Sequence, residues 1–498
     1  MRLPGSSALL RWLLAATLVS APSALAARRG APKANTDPPA ASTPAPTTAP
    51  PATSGPATSG PAAAEPGAAE PGAGSPPQET GMNLEDEFST ELGPTTVMDP
   101  DAPDREGSAY VPRAGSALLT GSNFSLGGGY LQRLDVTGAT AGDQFLLRAA
   151  PPALVDLFLN VQPSATIRGY LLTRIAFDPT AFGRTAPQFL LDQLWFRGQA
   201  FDHLFITAGR QQLKWGSGRV WNPTDFLRKI NATPLEVYDL RTGTDMVRVH
   251  VPVDAFQTNL YAIGYVDQEG AASQPFRYGG AVRAEFVVGP GEVSASAVFQ
   301  QQRRPRYGLD LNFGVGQFDI YAELALLQDF PRRLWRVGTN GAFEQRPFPD
   351  LAVQATAGAM TRLRVADLYQ VILRAELFYN GLGYLDRGLL AWVVSSGDYQ
   401  PLYYGTHYLM LQVDMTRRSP LEPGLVLTTI ASLTDRSFFS RLDGRFVTSL
   451  GVVFGGYVEV PWGEMGGEFR FQPQATNPDQ PITGLTLFRV GVYGRMGF

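Results

Sequence analysis

Alternation of apolar and polar residues, sustained over segments of ten residues or more, is the feature that most constrains the fold of this 498-residue chain. Between residues 276 and 288, for example, Val282 and Phe286 fall on one face, whereas Arg283 and Glu285 fall on the other. Successive side chains of a β-strand point to opposite faces, so a period of two predicts strands with one apolar and one polar face. The same period recurs in residues 306–315, 318–327 and 367–380.

The length of these segments favours a membrane barrel over a soluble β-sandwich or propeller. Segments of 10–14 residues suit tilted strands of about 9–11 residues that cross a bilayer, whereas soluble strands average about 5–6 residues. The polar face carries charged and small residues, as a water-filled lumen requires. We therefore predict an all-β fold in which residues 116–498 form a closed antiparallel transmembrane β-barrel of about 16–18 strands.

Eighteen candidate strands can be marked in this region, and residues 154–161 form an additional candidate. The eighteen begin near residues 123, 165, 187, 202, 244, 256, 276, 291, 306, 318, 334, 351, 367, 407, 424, 446, 466 and 484. Counting back from the C-terminus, this set places the long segment 215–243 on the periplasmic side, although long loops of such barrels normally lie outside the cell. The predicted strand order is therefore inconsistent at this segment.

The N-terminus has the parts of a secretory signal peptide, predicted here for residues 1–26. Arg2 and Arg11 precede an apolar stretch at 12–19, and small residues follow up to Ala26, after which cleavage is predicted. The apolar stretch is shorter than the roughly 20 residues that a transmembrane helix needs. Cysteine is absent from the chain, which excludes a disulfide framework and thiolate metal sites.

Residues 27–115 are rich in Pro, Ala and Gly, with the unit Pro-Ala-Thr-Ser-Gly in tandem at 51–60. So few apolar side chains do not offset the entropy lost on ordering, and a disordered periplasmic tether is predicted.

Residues 28–115 carry 12 acidic and 5 basic residues, whereas residues 116–498 carry 33 acidic and 34 basic residues. The acidic excess therefore lies in the arm, which includes an acidic segment at 82–104. The arm is interpreted either as a spacer or as a segment that binds peptidoglycan or a periplasmic protein.

The last strand of the chain alternates in polarity up to a terminal aromatic residue. Its apolar face consists of Phe488, Val490, Val492, Met496 and Phe498. This pattern resembles the C-terminal strand of Gram-negative outer-membrane β-barrels, which ends in an aromatic residue and is read by the barrel-assembly machinery. The resemblance implies that these residues form the assembly signal, and that the barrel lies in the lipid of the outer membrane.

A second motif spans residues 209–225 and resembles the GRQ…WG…NPxD segment of some porin-like outer-membrane barrels, in which a strand ends and the chain folds over or into the lumen. Its glycines permit a sharp reversal, and its Asn-Pro-Thr-Asp sequence is a turn signal. The predicted structural corner consists of Gly209, Trp215, Gly216, Gly218, Trp221, Asn222, Pro223 and Asp225. The alternative interpretation is a pore constriction. Its candidate residues, here and on other strands, are Arg210, Lys214, Arg219, Arg283, Glu285, Arg374 and Glu376.

Aromatic residues near segment ends predict interfacial girdles. The pairs concerned are Trp215 with Trp221, Tyr403 with Tyr404, and Phe438 with Phe439. The segment ending at Asn380 is predicted to leave the membrane into a long loop at 381–405, where interfacial packing is favoured over contacts with a solute.

The charges predicted to face the lumen are of both signs. The bases are Arg168, Arg174, Arg248, Arg283 and Arg374, and the acids are Glu285, Asp319, Glu323, Glu376 and Asp414. Such balance argues against strong ion selectivity. It favours a passive porin-like channel for small hydrophilic or amphiphilic solutes. The alternative is a structural, envelope-anchoring or polymer-exporting barrel. A TonB-type transporter is disfavoured, because residues 28–115 are too rich in proline to form a plug domain.

Catalysis has little support in the sequence. The three histidines, His203, His250 and His407, are scattered along the chain, and His250 shares the predicted lumen face with Arg248. No HExxH motif, Walker loop or dinucleotide-binding glycine pattern is present. The charge distribution lacks the basic footprint of a nucleic-acid-binding protein. We therefore expect no enzyme activity, no cofactor or metal ion and no nucleic-acid partner.

Overall fold

A computed structural model describes residues 117–498, except for 142, 182–183, 185, 202, 229–232, 237–240, 254–256, 268–275, 367, 418–421, 449 and 472–484. The predicted signal peptide and arm lie outside the described residues. The strands are β1 (Ala117–Thr120), β2 (Phe124–Ala141), β3 (Gln144–Ala150), β4 (Ala153–Ser164), β5 (Ile167–Phe177), β6 (Gln188–Ala200), β7 (Leu204–Gln211), β8 (Thr244–Val253), β9 (Thr258–Asp267), β10 (Arg277–Val288), β11 (Gly291–Gln300), β12 (Arg306–Val315), β13 (Phe318–Leu327), β14 (Leu334–Val337), β15 (Phe343–Arg346), β16 (Ala352–Val365), β17 (Tyr369–Asn380), β18 (His407–Arg417), β19 (Gly424–Ser432), β20 (Ser437–Val447), β21 (Val453–Gly463) and β22 (Leu485–Gly497).

Among the described residues, eighteen of these strands pair edge to edge in a closed antiparallel ring. The ring runs from β2 to β4 and through β13, continues from β16 to β22, and closes where β22 pairs with β2. β3 extends the row of β4 along the other half of β2, and β14 pairs with β15 outside the ring. The predicted closed antiparallel barrel is confirmed.

The predicted set of strands contained four errors. It began two strands near 446 and 466, whereas β20 and β21 begin at Ser437 and Val453. It left residues 154–161 as an additional candidate, although β4 is part of the ring, and it counted the segment near 334, which forms β14 outside the ring. Pro151 and Pro152 interrupt the row between β3 and β4 and obscured it in the sequence. The side chain of Gln132 donates hydrogen bonds to the carbonyls of both prolines, at 3.2 Å and 3.4 Å. Counting back from the C-terminus, removing the segment near 334 from the ring moves residues 215–243 to the opposite rim.

The connections between ring strands then separate into two rims. The short-turn rim has turns such as 165–166, 289–290 and 316–317. The long-connection rim carries residues 212–243, 328–351, 381–406 and 464–484. The third of these contains the helix α1 (Leu389–Ser395), and 3-10 turns lie at Pro179–Ala181 and Glu468–Arg470. In the part of the chain that the structure describes, no helix is long and apolar enough to span a bilayer.

The two faces of the ring differ as the alternation requires. On the outer face Leu377 is 54% exposed and Val282 is 51% exposed, whereas Arg283 and Glu376 on the inner face are buried. The apolar exterior is continuous from strand to strand, and a surface of this kind is stable only when water does not cover it. The polar inner face is buried because other parts of the chain fold against it.

The predicted aromatic girdles are only partly realised. Phe438 lies on the outer face and stacks on Trp462, with ring centroids 4.1 Å apart. Phe439 instead points inward and packs against Phe469. The other two predicted pairs are buried by packing within the protein. Trp215, Trp221 and Tyr403 pack with side chains of the wall, and Tyr404 packs with Leu389 and Leu390 of α1. Aromatic residues near a strand end did not distinguish the inner face from the outer face.

The seam between β2 and β22 closes the ring at the C-terminus of the chain. The Phe498 amide donates to the Gly128 carbonyl at 2.9 Å, and the Gly128 amide donates to the Phe498 carbonyl at 2.7 Å. A Cβ atom at Gly128 would lie 2.7 Å from the Phe498 ring, so a glycine is required where the aromatic ring packs. Beyond Phe498, β1 pairs with the start of β2, with Ala117 opposite Gly127. The chain therefore enters the barrel at the short-turn rim, beside its own C-terminus.

Candidate functional site

The connection between β7 and β8, residues 212–243, folds into the barrel interior and is called here the lumen segment. Its described parts are 212–228, 233–236 and 241–243. They form hydrogen bonds with inward side chains of β12, β13 and β17, which lie across the ring from β7 and β8. A backbone that leaves the wall in this way needs new partners for its amides and carbonyls, and the wall strands supply them.

Glu376 of β17 is the main anchor of the lumen segment. Its carboxylate accepts three consecutive backbone amides, from Arg219 at 2.5 Å and from Val220 and Trp221 at 2.9 Å each. The hydroxyl of Tyr321 donates to the same carboxylate at 2.7 Å. Hydrogen bonds to an ionised acceptor are shorter and stronger than neutral ones. Glu376 is fully buried, so its charge holds the lumen segment and does not face a solute.

Glu323 of β13 anchors the preceding turn. It accepts the Gly218 amide at 2.7 Å and the Thr224 hydroxyl at 2.9 Å. The Thr224 hydroxyl also contacts Asp310 of β12. Gly216 has a φ of +85°, and a Cβ atom there would lie 2.5 Å from the Glu323 carboxylate. Glycine is therefore required both for the backbone conformation and for the close approach to the wall.

The two tryptophans of the motif fill the space between the lumen segment and the wall. Trp221 is fully buried, stacks on Phe378 with centroids 5.4 Å apart, and donates its indole N–H to the Leu402 carbonyl at 3.0 Å. Trp215 is buried with Met246 and other side chains of β8–β11. The segment therefore packs on two stretches of wall, and the apolar contacts add to the polar anchors.

Arg283 of β10 lies at the centre of an ion-pair cluster beneath Trp215. Its guanidinium contacts Glu285 at 2.7 Å and Asp310 at 2.6 Å, and it donates to the Ser294 hydroxyl at 2.6 Å. The same guanidinium lies 5.4 Å from the centroid of the Trp215 ring. The charges of this cluster are paired with one another, and the cluster contacts the lumen segment through Trp215.

At its far end the lumen segment reaches the seam of the barrel. Glu236 contacts Arg133 of β2 and Arg489 of β22, the latter at 2.7 Å. Burial by itself would raise the pKa of Glu236, but the two guanidinium groups outweigh that effect and lower the pKa. Glu236 therefore stays ionised, and it ties the segment to the first and last wall strands of the ring.

The remaining sequence-predicted site residues fall into three groups. Arg210 lies on the outer face of β7, where it pairs with Asp245 at 2.6 Å, so the structure contradicts its placement in the pore. Arg374 points inward but is buried, and it donates to Gln412 at 2.9 Å. Lys214 and Arg219 are half-buried in the lumen segment.

The predicted corner residues do come together. Gly209 adopts a φ of +123° near the end of β7. The Asp225 amide donates to the Asn222 carbonyl at 3.2 Å across the turn that contains Pro223. The Asp225 carboxylate in turn accepts the Trp215 amide at 3.4 Å. The predicted corner is therefore part of the lumen segment that crosses the barrel interior.

Sequence reasoning did not identify several side chains that hold this site. These are Arg133, Thr224, Glu236, Tyr321 and Arg489. Tyr321 and Arg489 were on the polar face of predicted strands, so the alternation placed them inward without assigning a partner. Glu236 lies in a stretch with no periodicity, and nothing in the local sequence connects it to arginines at opposite ends of the barrel sequence.

Replacing Trp221 with alanine is expected to loosen the lumen segment without opening the ring. The change removes a fully buried indole and its hydrogen bond, and substitutions of this kind cost about 3–5 kcal/mol. We expect a lower thermal midpoint in detergent and a more protease-sensitive lumen segment. Trp462→Ala, on the outer face, is the matched control. Equal midpoints for the Trp221 variant and the parent would contradict the packing described here.

Within the described residues, no group of three or more histidine, cysteine or acidic side chains could hold a metal ion. His250 is buried on the inner face, stacks on Tyr261 with centroids 4.5 Å apart, and lies 3.0 Å from the Asn259 side chain. These contacts are those of a packed histidine in the wall.

No family model and no curated protein matches the chain. Similar solved structures include Acinetobacter baumannii OccAB1, with 8% identity over 75% of this chain and 96% of that chain and a TM-score of 0.46. Pseudomonas aeruginosa OccD3 has 10% identity over 77% and 93%, with a TM-score of 0.44. Salmonella typhi OmpF, in a complex with daunomycin, has 10% identity over 76% and 98%, with a TM-score of 0.41. At these values the likeness carries no argument, and the porin-like description of the fold rests on the strand pairing itself.

Proposed function

We propose that this chain is an outer-membrane channel through which small hydrophilic solutes diffuse, and that the lumen segment sets the width of the path. The observation that carries the proposal is a closed barrel with an apolar exterior and a segment anchored across its interior. Eighteen strands enclose more space than side chains alone fill. An inserted segment therefore leaves a narrowed path beside it.

The proposed orientation follows from the two rims. Barrels of the outer membrane have short periplasmic turns and longer extracellular loops. The short-turn rim, with both Phe498 and Ala117, then faces the periplasm. The predicted export signal at 1–26 supports delivery to this compartment. In this orientation the lumen segment descends from the extracellular side.

The solutes proposed are small and hydrophilic, with weak discrimination by charge. Inward charges are arranged in pairs, such as Arg174 with Asp192 at 3.2 Å and Arg441 with Glu459 at 2.6 Å. Paired groups present little net field to a passing ion. Size should therefore limit passage more than charge does.

Conductance of the purified protein in planar bilayers tests this proposal against the structural or envelope-anchoring alternative. We expect discrete single-channel steps of uniform size, together with swelling of proteoliposomes in small sugars but not in large oligosaccharides. The matched control is a preparation unfolded by heating. A correctly folded barrel that shows neither conductance nor swelling would favour the alternative role.

Arg219 and Arg210 allow a sharper test, since both were predicted to line the pore and only one lies inside. Arg219 is half-buried in the lumen segment, within electrostatic reach of Asp443 on β20. Arg219→Ala is expected to shift the reversal potential in a salt gradient towards cations. Arg210→Ala should leave it unchanged, because its side chain is on the outer face. An equal shift in both variants, or in neither, would contradict the proposed path.

A further inference from the structure

Residues 464–471, at the start of the connection between β21 and β22, fold inward and are called here the rim segment. Phe469 packs against the buried cluster that contains Trp221 of the lumen segment. Its ring centroid also lies 6.1 Å from that of Phe439, on the inner face of β20. Phe471 packs against a second cluster, which includes side chains of α1. The rim segment is therefore held by the wall and by two other connections.

One carboxylate, that of Glu468, joins the rim segment to the neighbouring connections of the same rim. It accepts the Leu402 amide at 2.7 Å and the Tyr399 hydroxyl at 3.3 Å, both from the connection between β17 and β18. It also accepts the hydroxyl of Tyr408, the second residue of β18, at 2.5 Å. The Glu468 amide donates to Asp435, in the turn between β19 and β20, at 2.8 Å. Three connections therefore meet at this one residue.

Glu468 is only 7% exposed, and within the part of the chain that the structure describes it forms no ion pair. Two nearby arginines are used elsewhere, since Arg387 and Arg436 both pair with Glu464. Arg470 of the rim segment contacts the sulfur of Met465. The titratable groups that face Glu468 are Tyr399 and Tyr404 of the β17–β18 connection, Tyr408 of β18 and Asp435 of the β19–β20 turn.

This environment favours the neutral form of the Glu468 side chain. Burial raises its pKa from the usual 4.5 to about 7, and the Asp435 carboxylate acts in the same direction. The hydrogen bonds from Tyr408, Leu402 and Tyr399 lower the pKa but do not outweigh burial. A rim segment exposed to water would instead ionise near the usual value. The docked state is therefore most stable below a pH of about 4.5, and it loses stability as the pH rises towards about 7.

We propose that Glu468 is a proton-controlled latch of the long-connection rim, which holds the rim segment in place when protonated and lets it move away from the mouth when ionised. Tyrosine hydroxyls donate or accept hydrogen bonds, so the contacts with Tyr399 and Tyr408 survive protonation. Ionisation leaves a buried charge without a cation beside it, and the cost is relieved when the segment enters water. The movement also takes Phe469 away from the cluster of Trp221, which loosens the lumen segment.

Distances between two spin labels test the latch directly, without reference to transport. The chain has no cysteine, so Met465→Cys gives one label in the rim segment, at a side chain that is 57% exposed. Gln317→Cys gives the other label, in an exposed turn of the opposite rim. At about pH 5 we expect one narrow distance population. By about pH 8 a second, displaced population should be present, because the docking equilibrium constant falls by about tenfold or more.

Three variants of the doubly labelled protein assign the pH dependence to one side chain. Glu468→Gln keeps the shape and cannot ionise, so the rim segment should stay docked at both pH values. Glu468→Ala removes the acceptor of the Leu402 amide and the Tyr408 hydroxyl, so the displaced population should be present already at about pH 5. The matched control, Glu464→Gln, neutralises an exposed acid of the same segment and should keep the pH dependence of the parent.

Two results would overturn the proposal. One is a distance distribution of the parent that is the same at about pH 5 and at about pH 8. The other is a displacement with pH that persists unchanged in Glu468→Gln, since a different group would then be the one that titrates. The first comparison uses a chain in which Glu468 is intact, so a folding defect of a Glu468 variant does not explain it.

Single-channel current gives a second readout, which rests on the proposed channel function. We expect the conductance of the parent to rise between about pH 5 and about pH 8, and that of Glu468→Gln to stay at the lower value. If the labels show the displacement but the protein carries no current, the latch stands and the channel proposal fails. Currents whose pH dependence is the same in the parent and in Glu468→Gln would count against the latch.

Discussion

A chain lacking only Phe498 is expected to fail at barrel assembly, with most of the protein left as protease-sensitive periplasmic material. The deletion removes the residue that exchanges two backbone hydrogen bonds with Gly128 across the seam, and it removes the ring that packs over that glycine. It also removes the terminal aromatic of the predicted assembly signal. The measurement is the heat-modifiable fraction on semi-native gels. We expect a loss of at least several-fold relative to the parent.

Two companion variants separate the effect of packing at the seam between β2 and β22 from the effect of the predicted assembly signal. Phe498→Trp keeps a terminal aromatic and should assemble nearly normally. Gly128→Leu leaves the C-terminus intact but places a side chain where the ring packs, since a Cβ atom there would lie 2.5 Å from the Asp156 carbonyl oxygen as well. Parent-like yields for the Phe498 deletion would refute both roles of the residue. Poor assembly of Gly128→Leu alone would assign the main role to packing at the seam.

Replacing Glu376 with alanine is expected to release the lumen segment from the wall while the ring stays closed. The change leaves the amides of Arg219, Val220 and Trp221 without their acceptor, and each buried unsatisfied donor costs about 1–3 kcal/mol. Larger and noisier single-channel steps should result. Trypsin should also cleave within the segment at Arg219 or Arg228, where the parent is protected.

Two control variants change carboxylates on the inner face of the same barrel wall. Glu376→Gln keeps the shape and one acceptor oxygen but loses the charge, so its effect should be intermediate. Asp319→Asn removes a carboxylate from the inner face of β13 next to the short turn at 316–317, and it should behave as the parent does. If Glu376→Ala keeps the parent conductance and protection, the lumen segment is held by its apolar contacts instead.

The wall of the barrel was predictable because its faces repeat locally. Val282 and Arg283 are neighbours in sequence, and the alternation alone assigned them to opposite faces, as the structure shows. The alternation also indicated the correct face for Arg210, because Arg210 follows Ile206 and Ala208 on the apolar face of β7. Arg210 was nevertheless predicted to line the pore, because the resemblance of the motif was given more weight than the face of the strand.

The interior was less predictable because its contacts join residues far apart in the chain. The sequence indicated the reversal at Gly216 and the turn at Asn222, which are local properties of the backbone. It did not indicate that Glu323 and Glu376 would accept the amides of that reversal, since the partners are more than ninety residues away. A carboxylate on a polar strand face looks the same in sequence whether it faces water or holds a segment.

The ion pairs of Glu236 have a consequence for the order of events during folding. This carboxylate contacts Arg133 near the beginning of the wall and Arg489 near its end. Contacts between such distant parts of a chain form only after the entropy of closing the intervening loop has been lost. While the ends of the wall are apart, Glu236 can meet at most one arginine. Its second ion pair therefore appears only when the circle of strands is complete, and it would report the last step of maturation.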